Sequence, residues 1–474
     1  MASAQLDKIN KRLKGNISSL DDNLQDMVTS LRRQLYDITL SLLVDLDGIG
    51  RVNGLAASRA LDLNQLSSLI QDRIRVLQNP SDCKKAKFML VSLNRPCAFG
   101  CNVHHLVYCF QVAYATGRTL AFDSSETSHY TSWWEQNFEP LAKNCDRDGA
   151  ETVANLDNIY SNITTLKCPY IFDFDAKLEI LPQAIPEDLA PALMRLHGRP
   201  SVWFMGQLLH YLMRPRPHLQ EMLDRLASSY KLTGPNRSPV VGVHVRRTDK
   251  LVLEAKFHSL NEYIVHVDRY FDFIDRQRQM MARNSEWIGD IHAPSTSSAS
   301  KVARQVFLAT DDPSVFEDAV IYFPHHKFHG DPNRARSADV QRRTTNDSIL
   351  GITLDIMLLS KADYLVCTFS SQVCRVAYEL MQARHQELGD ASSLAKSIDS
   401  FYYFGGEQTS YCEVIVDDED NGIQRGTLVQ MLGNNWDGFS VVKRKNQDKS
   451  FLIPSYKLQD RILVAQMGYH TLTA

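Results

Sequence analysis

The stretch Val240-Val-Gly-Val-His-Val-Arg-Arg-Thr-Asp-Lys250 decides how this chain is expected to fold. Its first half, Val240–Val245, is an apolar, β-branched run that predicts a strand buried on both faces, as in a parallel sheet. The charged residues that follow would lie at the carboxyl end of the strand, the edge where open α/β sheets bind ligands. Two adjacent arginines suit a diphosphate, because one guanidinium pairs with two phosphate oxygens at once. A solvated basic turn is the alternative interpretation of the same residues.

Two further segments, Val306–Ala309 and Tyr364–Phe369, have the same strand pattern. Each leads into a polar turn and then a helix-like segment, which predicts βα units around a mostly parallel sheet. Ser370 and Ser371 stand where a helix is expected to begin, and the free backbone N–H groups of a helix start bind anions. Ordinary N-capping by serine explains the same pattern.

Carboxylates follow two of these predicted strands. Asp312 precedes Pro313, which fits a helix N-cap with proline in the first turn. Asp311 is better suited to accepting hydrogen bonds from ribose or sugar hydroxyls. An isolated acidic pair is weak evidence for a metal site, and we predict none. Glu254, a few residues after the arginines, is either placed to take a proton from an acceptor hydroxyl or is a surface charge.

Residues 1–80 have helical periodicity. Apolar residues recur in steps of three and four, and they are Leu20, Leu24, Met27, Leu31, Leu35, Ile38 and Leu42. Such a stripe is typical of a coiled coil or a helical hairpin. Gly48, Gly50 and Gly54 interrupt it, and a second amphipathic segment then runs to Asn79-Pro80. We expect a stem or a packing element, through which a homodimer could form.

The last part of the chain changes character. Short β-like runs alternate with turn signals such as Asp420-Asn-Gly422 and Asp437-Gly438, which predicts a small all-β barrel. The expected domains are a helical stem at 1–80, an α/β catalytic region at 81–405 with its nucleotide-binding half at about 238–405, and the barrel at 406–468.

Composition narrows the functional class. The chain has 474 residues, a formal net charge of −3 and nine cysteines, and its basic residues are spread, so nothing points to nucleic acid. The spacings Cys97–Cys101 and Cys367–Cys374 fit short disulfide loops, thiols or half of a zinc site. They do not match the usual zinc knuckles. No run of about 18 apolar residues predicts a membrane span, so the chain is expected to be cytosolic or anchored by a segment outside this sequence.

Several long strings of residues resemble eukaryotic α-1,6-fucosyltransferases. They are His244–Lys250, Ala309–Ser314, Leu354–Ile356, Phe369–Glu379, Tyr402–Gly406, Cys101–Phe110, Ile185–Ala190 and His197-Gly198. The resemblance extends over roughly residues 66–460. It implies a GT-B-like α/β fold with a Rossmann-type nucleotide half. It also implies metal-independent, inverting transfer of fucose from GDP-fucose to the 6-hydroxyl of the innermost GlcNAc of N-glycans on glycoproteins, without a cofactor.

The resemblance also implies roles for single residues. Arg246 would be the main binder of the β-phosphate, and Glu254 the general base with Lys250 and Asp249 as its partners. The residues expected at the GDP-fucose pocket are His244, Arg246, Arg247, Tyr130, Asp311, Asp312, Asp355, Ser370, Ser371 and Gln372.

Outside the donor pocket, the resemblance implies disulfides, a barrel type and a location. It would pair Cys83 with Cys145, Cys97 with Cys101, and Cys367 with Cys374, and a Cys109–Cys168 bridge is a further suggestion. The terminal barrel resembles an SH3 domain through Trp436–Phe439 and Pro454–Tyr456. The implied location is the Golgi lumen, as a type II membrane protein in full length. Ala98, Phe99 and Asn435 depart from the family's usual residues.

Three alternatives remain at this stage. A protein O-fucosyltransferase would share the arginine site but not the appended barrel. A catalytically inactive glycan-binding or scaffolding protein would keep the fold without the reaction. A cytosolic adaptor built on the barrel would have free thiols throughout.

Overall fold

The structure is a computed structural model that describes residues 22–126, 128–143, 145, 163–169, 179–235, 237–248, 256–288, 301–339, 341–384, 389–405, 410–434, 438–444, 447 and 449–468. Its helices, numbered along the chain, are α1 Asp22–Val52, α2 Leu55–Gln78, α3 Phe99–Ala115, α4 His129–Asn137, α5 Ala190–Leu196, α6 Pro200–Leu212, α7 Pro217–Ser229, α8 Leu260–Ile288, α9 Ser314–Tyr322, α10 Pro332–Ser337, α11 Asn346–Leu359 and α12 Gln372–Arg384. Its strands are β1 Phe88–Val91, β2 Thr119–Phe122, β3 Thr165–Lys167, β4 Ala184–Pro186, β5 Val240–Val245, β6 Gln305–Thr310, β7 Lys327–His329, β8 Tyr364–Cys367, β9 Ala395–Ser397, β10 Ser410–Val414, β11 Leu428–Asn434, β12 Phe439–Arg444, β13 Ser450–Pro454, β14 Leu458–Asp460 and β15 Leu463–Ala465.

A five-stranded parallel sheet, with α8–α12, forms what we call the second lobe. Its strand order is β7-β6-β5-β8-β9, so the order reverses between β5 and β8. Every residue of β5 is buried, as expected for a strand covered by helices on both faces. The prediction of a mostly parallel sheet is confirmed, and the reversal places a crevice beyond the carboxyl ends of β5 and β8.

A smaller parallel sheet, β2-β1-β3, forms the centre of the first lobe together with α2–α7. Helix α3 connects β1 to β2 and is buried along almost its whole length. Gln78, at the end of α2, donates to the backbone carbonyls of Leu120 and Leu141 at 3.1 and 3.0 Å. This contact joins α2 to the edge of the first-lobe sheet.

The two lobes meet where α12 packs against α6. Gly206 in α6 makes this approach possible, because a Cβ at that position would lie 2.2 Å from the backbone oxygen of Glu379. The residues of α6 are buried almost throughout. Helix α12, whose first turn faces the crevice, is therefore held by the core of the first lobe.

The helical prediction for the N-terminal part is confirmed over residues 22–78, with one correction. Helix α1 continues through Gly48 and Gly50, because both lie in open space where a missing side chain removes no packing. Gly54 alone ends the pattern, with a φ of 73° that favours glycine. Helix α1 packs on α8, where the Tyr36 hydroxyl donates to Asp272 at 3.0 Å.

The C-terminal part contains a five-stranded antiparallel sheet, β13-β12-β11-β10-β14. Apolar side chains form its own small core, and they are Cys412, Val414, Ile423, Val429, Met431, Val442 and Ile453. Strand β15 leaves this sheet and pairs in parallel with β4 of the first lobe. The segment Leu463–Ala465, which was expected to belong to the barrel, thus pairs with a strand of the catalytic region. Asn435 and Trp436 lie outside the described residues.

Four disulfides cross-link the structure, and they are Cys83–Cys145, Cys97–Cys101, Cys109–Cys168 and Cys367–Cys374. All four pairings predicted from the sequence are present. Cys412 is a buried free thiol. This pattern contradicts the cytosolic adaptor alternative, which required free thiols throughout. Within the described residues, no helix has the length and apolar character needed to cross a membrane.

Candidate active site

The arginine pair after β5 is held by the carboxylate that follows β6. Arg246 Nη1 donates a short hydrogen bond to Asp311 Oδ2, and the backbone N–H of Arg247 donates to Asp311 Oδ1 at 2.8 Å. Thr248 Oγ1 donates to the same carboxylate. Because β5 and β6 are parallel neighbours, their carboxyl ends bring these groups together. Asp311 therefore fixes both the backbone turn and the guanidinium that carries the charge.

Asp312 and Arg247 make a second ion pair beside the first. Arg247 Nη1 lies 3.2 Å from Asp312 Oδ2, and its guanidinium lies 4.8 Å from the Phe257 ring centroid. Asp312 Oδ1 also accepts from the backbone N–H and hydroxyl of Ser314, at 3.0 and 2.7 Å. Burial raises the pKa of Asp312, but the bonds from Ser314 and Arg247 outweigh it, and the pKa is lowered overall. These bonds fix the turn directly before α9, but the N-cap of that helix is Pro313, whereas the sequence had indicated Asp312.

The turn between β8 and α12 presents a helix start to the crevice. Ser371 is buried, and its backbone N–H donates to the backbone carbonyl of Thr368 at 3.0 Å. The Ser370 N–H lies 3.4 Å from Asp399 Oδ1. The Cys367–Cys374 disulfide, with 6.2 Å between Cα atoms, spans this turn. These contacts hold the first turn of α12 in place. Its N-terminus lies at the carboxyl edge of the sheet, where the arginine pair also lies.

A second helix start faces the first across the cleft. A Cβ built on Gly100 in α3 would lie 3.0 Å from Gln372 Cβ and 3.4 Å from the backbone nitrogen of Val373. The positive ends of two helix dipoles thus meet between the lobes. Together with the arginine pair, this arrangement suits two linked phosphates.

Asp355 on α11 accepts from Arg334 Nε at 2.9 Å. Burial raises the pKa of Asp355 to about 6, although Arg334 acts in the opposite direction. The Tyr230 ring lies 5.7 Å from the Arg334 guanidinium and stacks on Phe307 with centroids 5.4 Å apart. A buried carboxylate beside aromatic rings suits a planar base with N–H donors. Asp355 was expected here from the resemblance, whereas no local motif marks Arg334 or Tyr230.

Tyr130 lies on the first-lobe side of the cleft. It is buried on α4, and its ring centroid lies 6.2 Å from that of Phe99, the residue before Gly100. Burial raises the pKa of Tyr130, and the charge of Arg343 acts in the opposite direction. The structure thus gathers Tyr130, Gln372 and the helix starts around one cleft. His244 is buried in β5.

The expected catalytic group, Asp249, Lys250 and Glu254, lies outside the described residues. Among the described residues, no group of three or more His, Cys, Asp or Glu side chains is arranged to hold a metal ion.

The chain is similar to known proteins over most of its length. A family model described as "Alpha-(1,6)-fucosyltransferase N- and catalytic domains" matches residues 1–288 and 281–403. An alpha-(1,6)-fucosyltransferase of Drosophila melanogaster is 39% identical over 470 residues, covering 98% of this chain and 71% of that protein. Its counterpart from Caenorhabditis elegans is 32% identical over 457 residues, covering 93% and 77%.

Solved structures that match part of this chain include NodZ alpha-1,6-fucosyltransferase soaked with GDP-fucose. It is 16% identical with a TM-score of 0.35, and the match covers 62% of this chain and 93% of that one. POFUT1 in complex with GDP is 13% identical with a TM-score of 0.31, and the match covers 66% and 98%.

Proposed function

The chain belongs to the alpha-(1,6)-fucosyltransferase family and is a glycosyltransferase, and we propose that it transfers L-fucose from GDP-β-L-fucose to the 6-hydroxyl of the innermost, Asn-linked GlcNAc of N-glycans. The observation that carries this proposal is that the arginine pair follows β5 and the α12 start follows β8, which are neighbouring parallel strands at the switch point of the sheet. Such a site binds a diphosphate, and the family relation indicates which diphosphate ester it takes.

We assign the donor contacts as follows. The guanidinium of Arg246 has five N–H groups, so it can keep its bond to Asp311 and still donate to the β-phosphate. Arg247, Ser370 and Ser371 complete the phosphate site. The Asp355 carboxylate suits the adjacent N–H donors of guanine. The remaining donor-pocket residues are His244, Tyr130, Asp311, Asp312 and Gln372.

The proposed reaction is a single displacement. Glu254 takes the proton of the 6-hydroxyl, aided by Lys250 and Asp249, while the oxygen forms a bond to the anomeric carbon. The bond from that carbon to the GDP oxygen breaks, and GDP leaves with the electron pair. Attack from the opposite face converts the β-linked donor into an α-linked product. Arg246 and the helix starts stabilise the departing charge, which is the role a metal would otherwise have.

We also propose the domain division, the location and the oligomeric state of the protein. The division is a stem at 1–80, a GT-B-like catalytic region at 81–405 and an SH3-like barrel at 406–468. The proposed native location is the Golgi lumen. We propose that a homodimer forms through the stem, because the apolar stripe of α1 faces away from α8 and is exposed. The exposed fraction of its side chains runs from 41% for Leu35 to 64% for Ile38.

One assay tests the reaction. The protein is incubated with GDP-fucose and an Asn-linked glycopeptide that exposes terminal GlcNAc, with EDTA present, and mass and linkage are followed. We expect one fucose, α-1,6-linked to the innermost GlcNAc. Glu254→Gln is the matched variant: it should bind GDP normally and lose turnover by about 100-fold or more.

Other outcomes would change the assignment. Fucose on a peptide hydroxyl would indicate an O-fucosyltransferase. GDP binding without any product would indicate an inactive binder. Loss of turnover with EDTA alone would contradict metal independence, and near-normal turnover of Glu254→Gln would assign the base to another residue.

A further inference from the structure

A chain of buried polar side chains connects α12 to the first lobe behind the cleft. The Tyr402 hydroxyl donates to Glu379 Oε1 at 2.6 Å. His104 Nε2 lies 3.2 Å from both oxygens of Glu379, and His104 Nδ1 makes a short hydrogen bond with Gln372 Oε1. His104 is 1% exposed and Glu379 is 0% exposed. Water therefore has little access to these groups, and they satisfy one another.

The hydrogen-bond partners of its two ring nitrogens define the role of His104. Both ring nitrogens face oxygen atoms that accept hydrogen bonds. A neutral imidazole has one N–H, so only the doubly protonated ring donates to both oxygens at once. His104 thus connects the buried Glu379 carboxylate to the side-chain amide of Gln372.

This coupling determines which atom of Gln372 is presented to the cleft. The amide oxygen is held by His104, and within the described part of the chain the Nε2 of Gln372 makes no hydrogen bond. Gln372 is half-buried and is the first residue of α12, directly after Ser371. We propose that His104 is a positioning residue that turns the Gln372 amide so that its N–H₂ group donates to an oxygen of the fucosyl diphosphate.

The surroundings make this position rigid. His104 lies four residues after Gly100, so both occupy one face of α3. Gly100 contacts Gln372 from the same face, and the His104 ring packs edge-on against Phe404 with centroids 5.1 Å apart. The Gln372 side chain therefore lies between two fixed points of the first lobe. The inference rests on the proposed function for the identity of the ligand only.

Two conservative substitutions separate positioning from stability. The amide nitrogen of asparagine takes the place of His Nδ1, and that of glutamine takes the place of His Nε2. His104→Asn therefore keeps the bond to Gln372 and removes the bond to Glu379, whereas His104→Gln keeps the bond to Glu379 and releases Gln372. We expect His104→Asn to be the less stable variant by Tm yet to bind GDP-fucose within about twofold of the unsubstituted enzyme. We expect His104→Gln to be more stable yet to bind roughly tenfold more weakly.

The measurements are calorimetric affinity for GDP-fucose without acceptor, and KM and kcat with it. Tyr402→Phe is the control, because it removes a bond from the far side of Glu379 and should lower Tm without changing donor affinity. Gln372→Ala should weaken GDP-fucose binding as much as His104→Gln does. The variant that carries both substitutions should bind little more weakly than either single variant. If His104→Asn does not fold, adding Glu379→Gln removes the buried charge and leaves the contact to Gln372 in place.

Donor affinity that follows Tm across the series would overturn the inference, because His104 would then act on stability alone. Additive losses in the double variant would do the same. Failure of the unsubstituted enzyme to transfer fucose would contradict the proposed function but not this inference, since the affinity measurement needs no acceptor.

Discussion

At the scale of single residues, Asp311 determines how the phosphate site is prepared. It binds the Arg246 guanidinium and the Arg247 backbone with its two oxygens. The arginine is thus oriented before any ligand arrives, which reduces the ordering that binding would otherwise require. An arginine without such a partner would have to be ordered when the ligand binds.

Arg246→Ala should weaken GDP binding by about 10- to 100-fold, the factor expected for one charged hydrogen bond, and should abolish transfer. Arg246→Lys, the matched variant, keeps the charge but loses the planar fork, so it should recover little activity. Calorimetry with GDP and the glycopeptide assay measure the two effects. Normal turnover of Arg246→Ala would refute the phosphate role.

Asp355 makes donor binding depend on pH. Burial raises its pKa to about 6, and only the charged carboxylate accepts from two guanine N–H groups. The KM for GDP-fucose should therefore be lowest above about pH 6 and rise as the pH falls through that value. The sign for stability is opposite: a carboxyl whose folded-state pKa is raised stabilises the fold at low pH, and this contribution is lost as the pH rises through about 6.

KM measured from about pH 5 to about pH 7.5 tests this dependence. In Asp355→Asn the KM should be high throughout and should no longer follow this titration. A flat KM profile for the unsubstituted enzyme would show that Asp355 does not contact the donor in its charged form.

At the scale of elements, the packing of α6 against α12 determines where the phosphate-binding helix lies. Gly206 lets the helices approach until the α6 backbone nearly touches Glu379. Helix α12 carries Gln372 at its start and Glu379 two turns later. Its position along its own axis is therefore decided in the first lobe, and the donor site depends on both lobes.

Gly206→Ala should destabilise the protein by about 1–3 kcal/mol or more, because its Cβ would overlap the Glu379 backbone oxygen. Gly48→Ala is the control: nothing lies within 4 Å of that position in α1, and alanine should stabilise the helix by up to about 1 kcal/mol. Thermal or denaturant unfolding compares the two. A Gly206→Ala variant as stable as Gly48→Ala would contradict this packing.

At the scale of the whole molecule, α1 has two different faces. Leu40 and Val44 are buried toward α8, and the Arg276–Asp37 pair at 3.5 Å adds to that contact. The opposite stripe is exposed and apolar over several turns, and its residues are Leu24, Met27, Leu31, Leu35, Ile38 and Leu42. A stripe of this length is unusual on a monomer and has the spacing of a helix–helix interface.

Replacing Leu35, Ile38 and Leu42 by glutamate should convert a dimer into a monomer, as measured by sedimentation or light scattering, without changing GDP affinity. Leu61→Glu is the control, since Leu61 is exposed on α2 at 59% and lies outside the stripe. A monomeric unsubstituted protein, or a dimer that survives the triple substitution, would contradict the dimer proposal.

Much of the fold was determined by the sequence itself. The buried runs that became β5, β6 and β8, the helix start near Ser371 and the apolar stripe of α1 all depend on local periodicity, which is set by backbone geometry. The rule that ligands bind beyond the carboxyl ends of parallel strands then marked Arg246 and Asp311 as candidate ligand-binding residues, and the structure added that they bind each other. Three of the cysteine pairings followed from the resemblance, and the Cys109–Cys168 pairing was a separate suggestion that the structure confirms.

Only the tertiary structure decided which distant residues meet. Tyr36 binds Asp272 from 236 positions away, His104 reaches Glu379 across 275, and Arg334 joins Asp355 and Tyr230 in one pocket. A histidine or arginine has no periodic signature that names its partner, because its contact depends on how two lobes pack. The site was therefore predictable where one strand end carries it, and unpredictable where two lobes must close around it.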